Sequence, residues 1–153
     1  MPLYTLTRDQ HLPGTPDEVF PFFADAGNLE AITPPSVGFR IVTPRPIEMR
    51  VGALIEYRLR LRGIPVSWLT RIEEWEPGVR FVDMQLRSPY ALWHHTHTFT
   101  ADGAGGTHMR DTVRYALPGG PLGAIPHALL VRRELATIFD FRAQRVPELL
   151  ATS

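Results

Sequence analysis

The segment Trp93-His94-His95-Thr96-His97-Thr98-Phe99 crowds three imidazoles into four positions. Imidazole suits proton transfer, metal ligation and polar anchoring near neutral pH. In an extended strand successive side chains point to opposite faces, so Trp93, His95, His97 and Phe99 share one face and His94, Thr96 and Thr98 the other. Two bulky aromatics demand an interior, and an imidazole buried beside them needs a partner or a purpose. The pattern describes a cavity wall with two polar points in it. His108, alternating with Arg110, Thr112 and Arg114, falls on a solvated face, and His11 and His127 have no neighbours that suggest chemistry.

Asp111 is the expected partner. If Phe99 pairs near Thr107 across the glycine-rich loop 102–106, counting back sets His97 opposite Met109, His95 opposite Asp111 and Trp93 opposite Val113. Such a pair fixes the tautomer of His95 and raises its pKa while burial pulls the other way. Four readings stand side by side. His95, His97 and Asp111 are polar anchors for a small ligand, or His95 is a general acid or base polarised by Asp111. They form a two-His-one-carboxylate metal site, or the histidines hydrogen-bond the backbone or Asp111 and fill space. No obvious nucleophile accompanies them, which argues against acyl-enzyme chemistry. No Glu follows His97 at the short distance of cupin-type sites, so neither a metal nor a cofactor is expected.

Other residues are ambiguous on pattern alone. Phe81, Asp83, Gln85 and Arg87 alternate with Val82, Met84 and Leu86. The simple amphipathic reading turns the second set inward and leaves Asp83 and Gln85 in solvent. A bulge near Ser88-Pro89 would invert it. Tyr57, Leu59, Trp68 and Phe139 are expected as cavity walls beside Trp93 and Phe99. Arg142, three residues after Phe139, either reaches a ligand carboxylate or extends to the surface, and the surface is the expectation.

The elements that must position these residues follow from periodicity. Tyr4 to Leu12 reads as a strand, and Thr15-Pro16-Asp17-Glu18 as a helix start. Asn28 to Ile32 is a second short helix stopped by Pro34-Pro35, and Phe39 to Val42 a strand. From Ala53 the period is two: Ala53, Ile55, Tyr57, Leu59 and Leu61 against Glu56, Arg58, Arg60 and Arg62. Strands then follow at Val66 to Trp75, Arg80 to Arg87, Tyr90 to Thr100 and Thr107 to Leu117, joined by Gly/Pro turns. After Pro118, Leu129, Leu135, Ile138, Phe139 and Val146 mark one face of a long helix. The fold class is α+β: a seven-stranded antiparallel sheet curled around a long C-terminal helix, with two short helices after the first strand.

Composition bounds the chemistry further. The 153 residues fit a single domain spanning 1–153, and the 16 basic and 16 acidic residues cancel. Every basic residue is arginine, and the absence of lysine and cysteine excludes Schiff-base, thiolate and disulfide chemistry. Arg58, Arg60 and Arg62, at every second position of a strand, come closest to a basic footprint. They read as a solvated strand face, so no nucleic-acid partner is expected. No apolar stretch reaches membrane-spanning length and Met1-Pro2-Leu3-Tyr4 lacks signal features, so the expected location is the cytoplasm, without stable membrane insertion.

In order and spacing the chain resembles the START-like or Bet v 1-like (SRPBCC) superfamily, which includes polyketide cyclase/dehydrase-like proteins. The resemblance is carried by Pro16-Asp17-Glu18-Val19-Phe20, Asn28-Leu29, Phe81-Val82-Asp83-Met84-Gln85 and Pro89-Tyr90. It continues in Trp93-x-His95-x-His97-x-Phe99, Gly106-Thr107, Asp111-x-Val113-x-Tyr115 and the helix of Leu135, Phe139 and Arg142. It implies a helix-grip fold with a hydrophobic ligand cavity, in a superfamily of lipid carriers, hormone and metabolite binders, aromatic cyclases and quinone-binding proteins. The expected partner is a small hydrophobic or amphipathic ligand: lipid, polyketide or isoprenoid-like. The alternatives are a cyclase- or dehydrase-like enzyme using His95, and a protein-interaction module with a vestigial cavity.

Overall fold

The computed structural model describes residues 2–118 and 124–152, with side chains in the last helix described over 129–151. The element order is β1 (Tyr4–Pro13), α1 (Pro16–Ala24), α2 (Asn28–Ala31), a 3-10 turn (Pro35–Val37), β2 (Arg40–Ile41), β3 (Leu54–Leu61), β4 (Ile64–Glu76), β5 (Arg80–Arg87), β6 (Leu92–Ala101), β7 (Gly106–Ala116) and α3 (Ala124–Thr152). The strands form one antiparallel seven-stranded sheet in the order β1-β7-β6-β5-β4-β3-β2, curled around α3. From β2 to β7 the chain is a meander, and β1 closes on β7.

Local chemistry explains the joints. The Thr15 hydroxyl accepts from the Glu18 amide and the Glu18 carboxylate accepts from the Thr15 amide, a reciprocal cap that starts α1. Between β3 and β4, Arg62 and Gly63 both take positive φ (53° and 77°), the backbone that a two-residue hairpin with native twist requires. Asp102 accepts from the amides of Ala104 and Gly106 and so folds the β6–β7 loop tightly.

The concave face of the sheet is apolar along β3, where Ala53, Ile55, Leu59 and Leu61 are buried, and α3 lies on that face through Val131, Leu135, Phe139 and Val146. Arg8 pairs with Asp140, and Gln10 donates to the Ala143 carbonyl at 2.8 Å, tying α3 to β1. Burial corrects one helix expectation: Leu129 is 49% exposed, because the helical period turns it roughly 115° away from the centre of the stripe of Val131, Leu135, Phe139 and Val146. Pro126 falls in the first turn of α3. The His127 side chain lies outside the described residues.

Two large apolar clusters dominate the core, beside a smaller one of Ala26, Ile41 and Ile55. One gathers Trp68, Tyr90, Trp93, Val113, Tyr115, Leu135 and Phe139. The other gathers Leu12, Val19, Phe20, Phe81, Phe99, Met109 and Val146. Along β6, Trp93 belongs to the first cluster and Phe99 to the second, and between them stand His95 and His97. The histidines are the seam of the core. Among the described residues no helix is long and apolar enough to cross a membrane.

Candidate functional site

Three neighbouring strands bring the site together. In the β6–β7 ladder His97 faces Asp111, His95 faces Val113 and Trp93 faces Tyr115, two residues away from the register counted on the sequence. The strands run on past Phe99 to the pair Ala101–Thr107, because the Asp102-centred loop is tighter than the sequence count assumed. His95 meets Asp111 all the same, on the diagonal: its Nε2 donates to Asp111 Oδ1 at 2.8 Å.

On the other side, β5 presents Phe81 opposite His97 and Asp83 opposite His95. Asp83 therefore faces inward and Gln85 is buried, which corrects the amphipathic reading that left both in solvent. The β4–β5 ladder carries irregularities between Leu69 and Thr70 and between Ile72 and Glu74, whereas β5 pairs with β6 in unbroken register. The pairing with the histidine strand thus decides the face. Polar residues that belong to a site look like solvent-facing ones on pattern alone.

The result is a closed ring of four side chains. His97 Nε2 donates to Asp83 Oδ2 at 2.7 Å, and His97 Nδ1 stands 2.9 Å from Asp111 Oδ1, off the line of a good hydrogen bond. His95 Nδ1 is 3.9 Å from Asp83 Oδ2. The two imidazoles stack with centroids 3.7 Å apart, and Phe81 continues the stack 4.0 Å from His97.

The electrostatics separate the two histidines. Burial pulls His97 down, but Asp111 and Asp83, one at each ring nitrogen, outweigh it and hold its pKa above the ordinary value. Burial and the neighbouring His97 cation push His95 down, against the opposing pull of Asp111 and Asp83. Burial would raise Asp83 and Asp111, yet the histidines beside them hold both carboxyls below the usual range. Between the two carboxylates the site thus favours a proton on His97 over one on His95, and with the His95 Nε2–H held by Asp111 its Nδ1 keeps a lone pair.

Ligand atoms of Asp83, His95 and His97 lie within 4.8 Å of one another, close enough to consider a divalent ion. The rings are inclined by only 26°, so their in-plane lone pairs run side by side rather than converge, and Asp83 lies at proton-sharing distance from His97. As arranged, the cluster holds protons.

Arg142 completes the site. The expectation placed it at the surface. Instead it lies on the buried stripe of α3, between Phe139 and Val146, with its guanidinium carbon 5.0 Å over the Phe139 ring. Burial holds its pKa below the ordinary value, opposed by Asp111 and Asp83. The spacing Leu135, Phe139, Arg142, Val146 was the signal that could have found it.

Two cavities flank the ring. The larger, about 120 Å³, is walled by Tyr57, Leu59, Trp68, Trp93, Leu135 and Phe139, with His95, His97, Asp83 and Arg142 at its polar end. The smaller, about 50 Å³, lies toward Met49, Ile55 and Met109, and shares Tyr57, Asp83, His97 and Arg142 with the first. The Tyr57 hydroxyl hydrogen-bonds Thr70, and burial with the nearby Asp83 pushes its pKa up. Two sequence candidates stand apart from the cavities. Phe99 is packed against Phe20 and Phe23, and Asp111 lies behind the imidazoles rather than in the wall.

Comparison with known proteins follows the same lines. Residues 4–150 match the family model described as polyketide cyclase / dehydrase and lipid transport. No curated protein matches the chain in sequence. Among solved structures, the ZhuI aromatase/cyclase from Streptomyces sp. R1128 is similar with a TM-score of 0.77 at 14% identity, covering 98% of this chain and 94% of that one. TTHA0849 from Thermus thermophilus gives 0.72 at 18% identity, covering 98% and 100%. Ara h 8.0201 gives 0.69 at 12% identity, covering 99% and 100%. These likenesses establish the fold.

Proposed function

Because this chain belongs to the polyketide cyclase/dehydrase and lipid transport family, we propose that it binds a small amphipathic molecule between the sheet and α3, as a single ligand-binding domain. The apolar body of the ligand rests on Leu59, Trp68, Trp93 and Phe139, and its oxygen-bearing end meets His95, His97 and Asp83. One observation carries the reading: an apolar cavity of about 120 Å³ ends on a buried ring of two imidazoles and two carboxylates. A packed core gains nothing from four such groups, whereas a binding pocket needs a few convergent polar groups in an apolar wall. A cavity of roughly 150 Å³ takes up a benzene-sized molecule. A polyketide fragment or isoprenoid head of one ring therefore fits as the walls stand, and a longer chain requires α3 to shift.

Native mass spectrometry of the purified protein tests this. A co-purifying small molecule is expected, and His95→Ala is expected to weaken its retention by about tenfold, the value of one charge-assisted hydrogen bond. A protein that purifies empty and takes up no amphipathic probe overturns the reading.

A second reading has a specific observation behind it. The Nε2–H of His95 is held by Asp111, and Nδ1 keeps a lone pair beside the cavity, the arrangement of a polarised general base. Such a base would take a proton from carbon next to a carbonyl, the opening step of a cyclisation or dehydration. Turnover of a β-keto probe that disappears in His95→Gln, with binding retained, selects this reading over binding alone.

A further inference from the structure

This inference rests on the binding reading and names the chemistry of the ligand's polar end. Arg142 borders both cavities, its Nε is buried without a hydrogen-bond partner, and no ion pair joins its guanidinium to a carboxylate among the described residues. The nearest anions are occupied: Asp83 accepts from His97, and Asp111 from His95. They balance the charge of Arg142 through space and give it no hydrogen bonds. A guanidinium offers five donors in a planar fork and stays charged, so the unmatched buried Nε–H is a standing cost that a suitable acceptor removes.

We infer that the ligand is a ring-sized organic acid whose carboxylate seats on Arg142. A carboxylate matches the guanidinium fork with two oxygens, and no other group in the wall can recognise it as well. The approach to the site agrees. A surface groove shares Val37, Leu61 and Ile138 with the cavity and carries Arg60, Arg62 and Arg133 against the single acid Glu134. Arg62 pairs with Glu134, and the net positive rim that Arg60 and Arg133 leave beside the cavity raises the local concentration of anions.

Charge balance adds a consequence. Asp83 and Asp111 offset His97 and Arg142, so an incoming carboxylate leaves one uncompensated negative charge. His95 is the group that can answer it. Asp83 faces it from β5, Asp111 from β7, His97 from its own strand and Arg142 from α3, with the Tyr57 hydroxyl of β3 at the same cavity. Proton uptake at Nδ1 restores neutrality, so affinity for the acid rises as pH falls.

A panel of carboxylic acids from butyrate through benzoate to naphthoate, each with its neutral primary amide, tests the inference by calorimetry. The best acid is expected to bind about 10- to 100-fold more tightly than its amide. Titrations at about pH 7.5 in buffers of different ionisation enthalpy are expected to show uptake of about one proton. Arg142→Gln is expected to erase the preference for acid over amide, and Arg142→Lys, which keeps the charge without the fork, to reduce it. Amides that bind as well as acids, or a preference that survives Arg142→Gln, overturn this inference and leave the binding reading standing. If neither acids nor amides bind to the folded protein, the binding reading falls with it.

Discussion

Among the described residues two histidine pairs stack, one on each face of the sheet, and β7 supplies His108 to the outer pair and the Asp111 partner of the inner one. Outside, His11 and His108 stack at 5.0 Å, and Asp9 accepts from His108 at 2.7 Å and from Arg110 at 2.8 Å. Inside, His95 and His97 stack at 3.7 Å between Asp83 and Asp111. The residue types and hydrogen bonds are nearly the same. Water makes the difference: the Asp9 side chain is 43% exposed and that of Asp111 9%. Solvent screens the outer charges, so hydrogen bonds from Arg110 and His108 lower the Asp9 pKa without committing the fold to it. Within the core the same contacts raise the proton affinity of His97, while burial and His97 lower that of His95.

The sharpest way to break this comparison is to delete one carboxylate from each pair. Asp111→Ala strands His97 with one anion and is expected to cost about 3–5 kcal/mol in urea denaturation, the usual result of breaking a buried charged pair. Asp9→Ala is expected to leave the midpoint unchanged within error. Equal losses in the two variants would show that burial does not separate the pairs.

The next effect lies in the pH dependence of the inner pair, where each tenfold change in proton affinity on folding contributes about 1.4 kcal/mol. His97 is held above its unfolded value, so its contribution is complete below about pH 6.5 and is lost as pH rises through its folded pKa. His95 is held below, so its contribution is present above about pH 6.5 and lost as pH falls through its folded pKa. Stability measured against pH should therefore lose its alkaline slope near neutrality in His97→Gln and its acid slope in His95→Gln. Asp83 and Asp111, held low, keep their contribution above about pH 4 and surrender it only further into acid. Identical slopes in both histidine variants would sink the assignment of charge.

Smaller again is the ring beneath the imidazolium. Phe81→Leu removes the face stacked on His97 and is expected to cost about 1–2 kcal/mol, with the His97 titration seen by NMR moving downward. An unmoved titration would show that the stack contributes packing alone. The smallest effect expected is that of His108→Ala, which should leave both unfolding and ligand retention unaltered.

The fold was largely legible because a half-buried strand must alternate. Ile55, Leu59 and Leu61 declared an inner face, and Gly63, Gly78 and Gly103 marked the turns. The site was legible only where it borrowed that pattern. His95 and His97 stood out by lying between Trp93 and Phe99. Asp83 did not, since a carboxylate alternating with Val82 and Met84 reads as solvent-facing unless its strand is paired first. Arg142 was masked in the same way, by an expectation that a long cation reaches for water. The register was missed by two residues because the tight turn around Asp102 depends on side-chain hydrogen bonds that spacing does not reveal.

The chain has three tryptophans, and all of them stand where a ligand or the core would be felt. Trp68 and Trp93 meet edge to face at 5.2 Å in the cavity wall, Trp93 lies 6.2 Å from the His95 ring, and Trp75 packs on Phe20 and Phe81. Two indoles this close couple their electronic transitions, and a protonated imidazole quenches indole emission where a neutral one does not. The molecule is thus its own spectrometer, with emission that dims when His95 takes a proton and a near-ultraviolet dichroism band that changes when an occupant parts the indole pair.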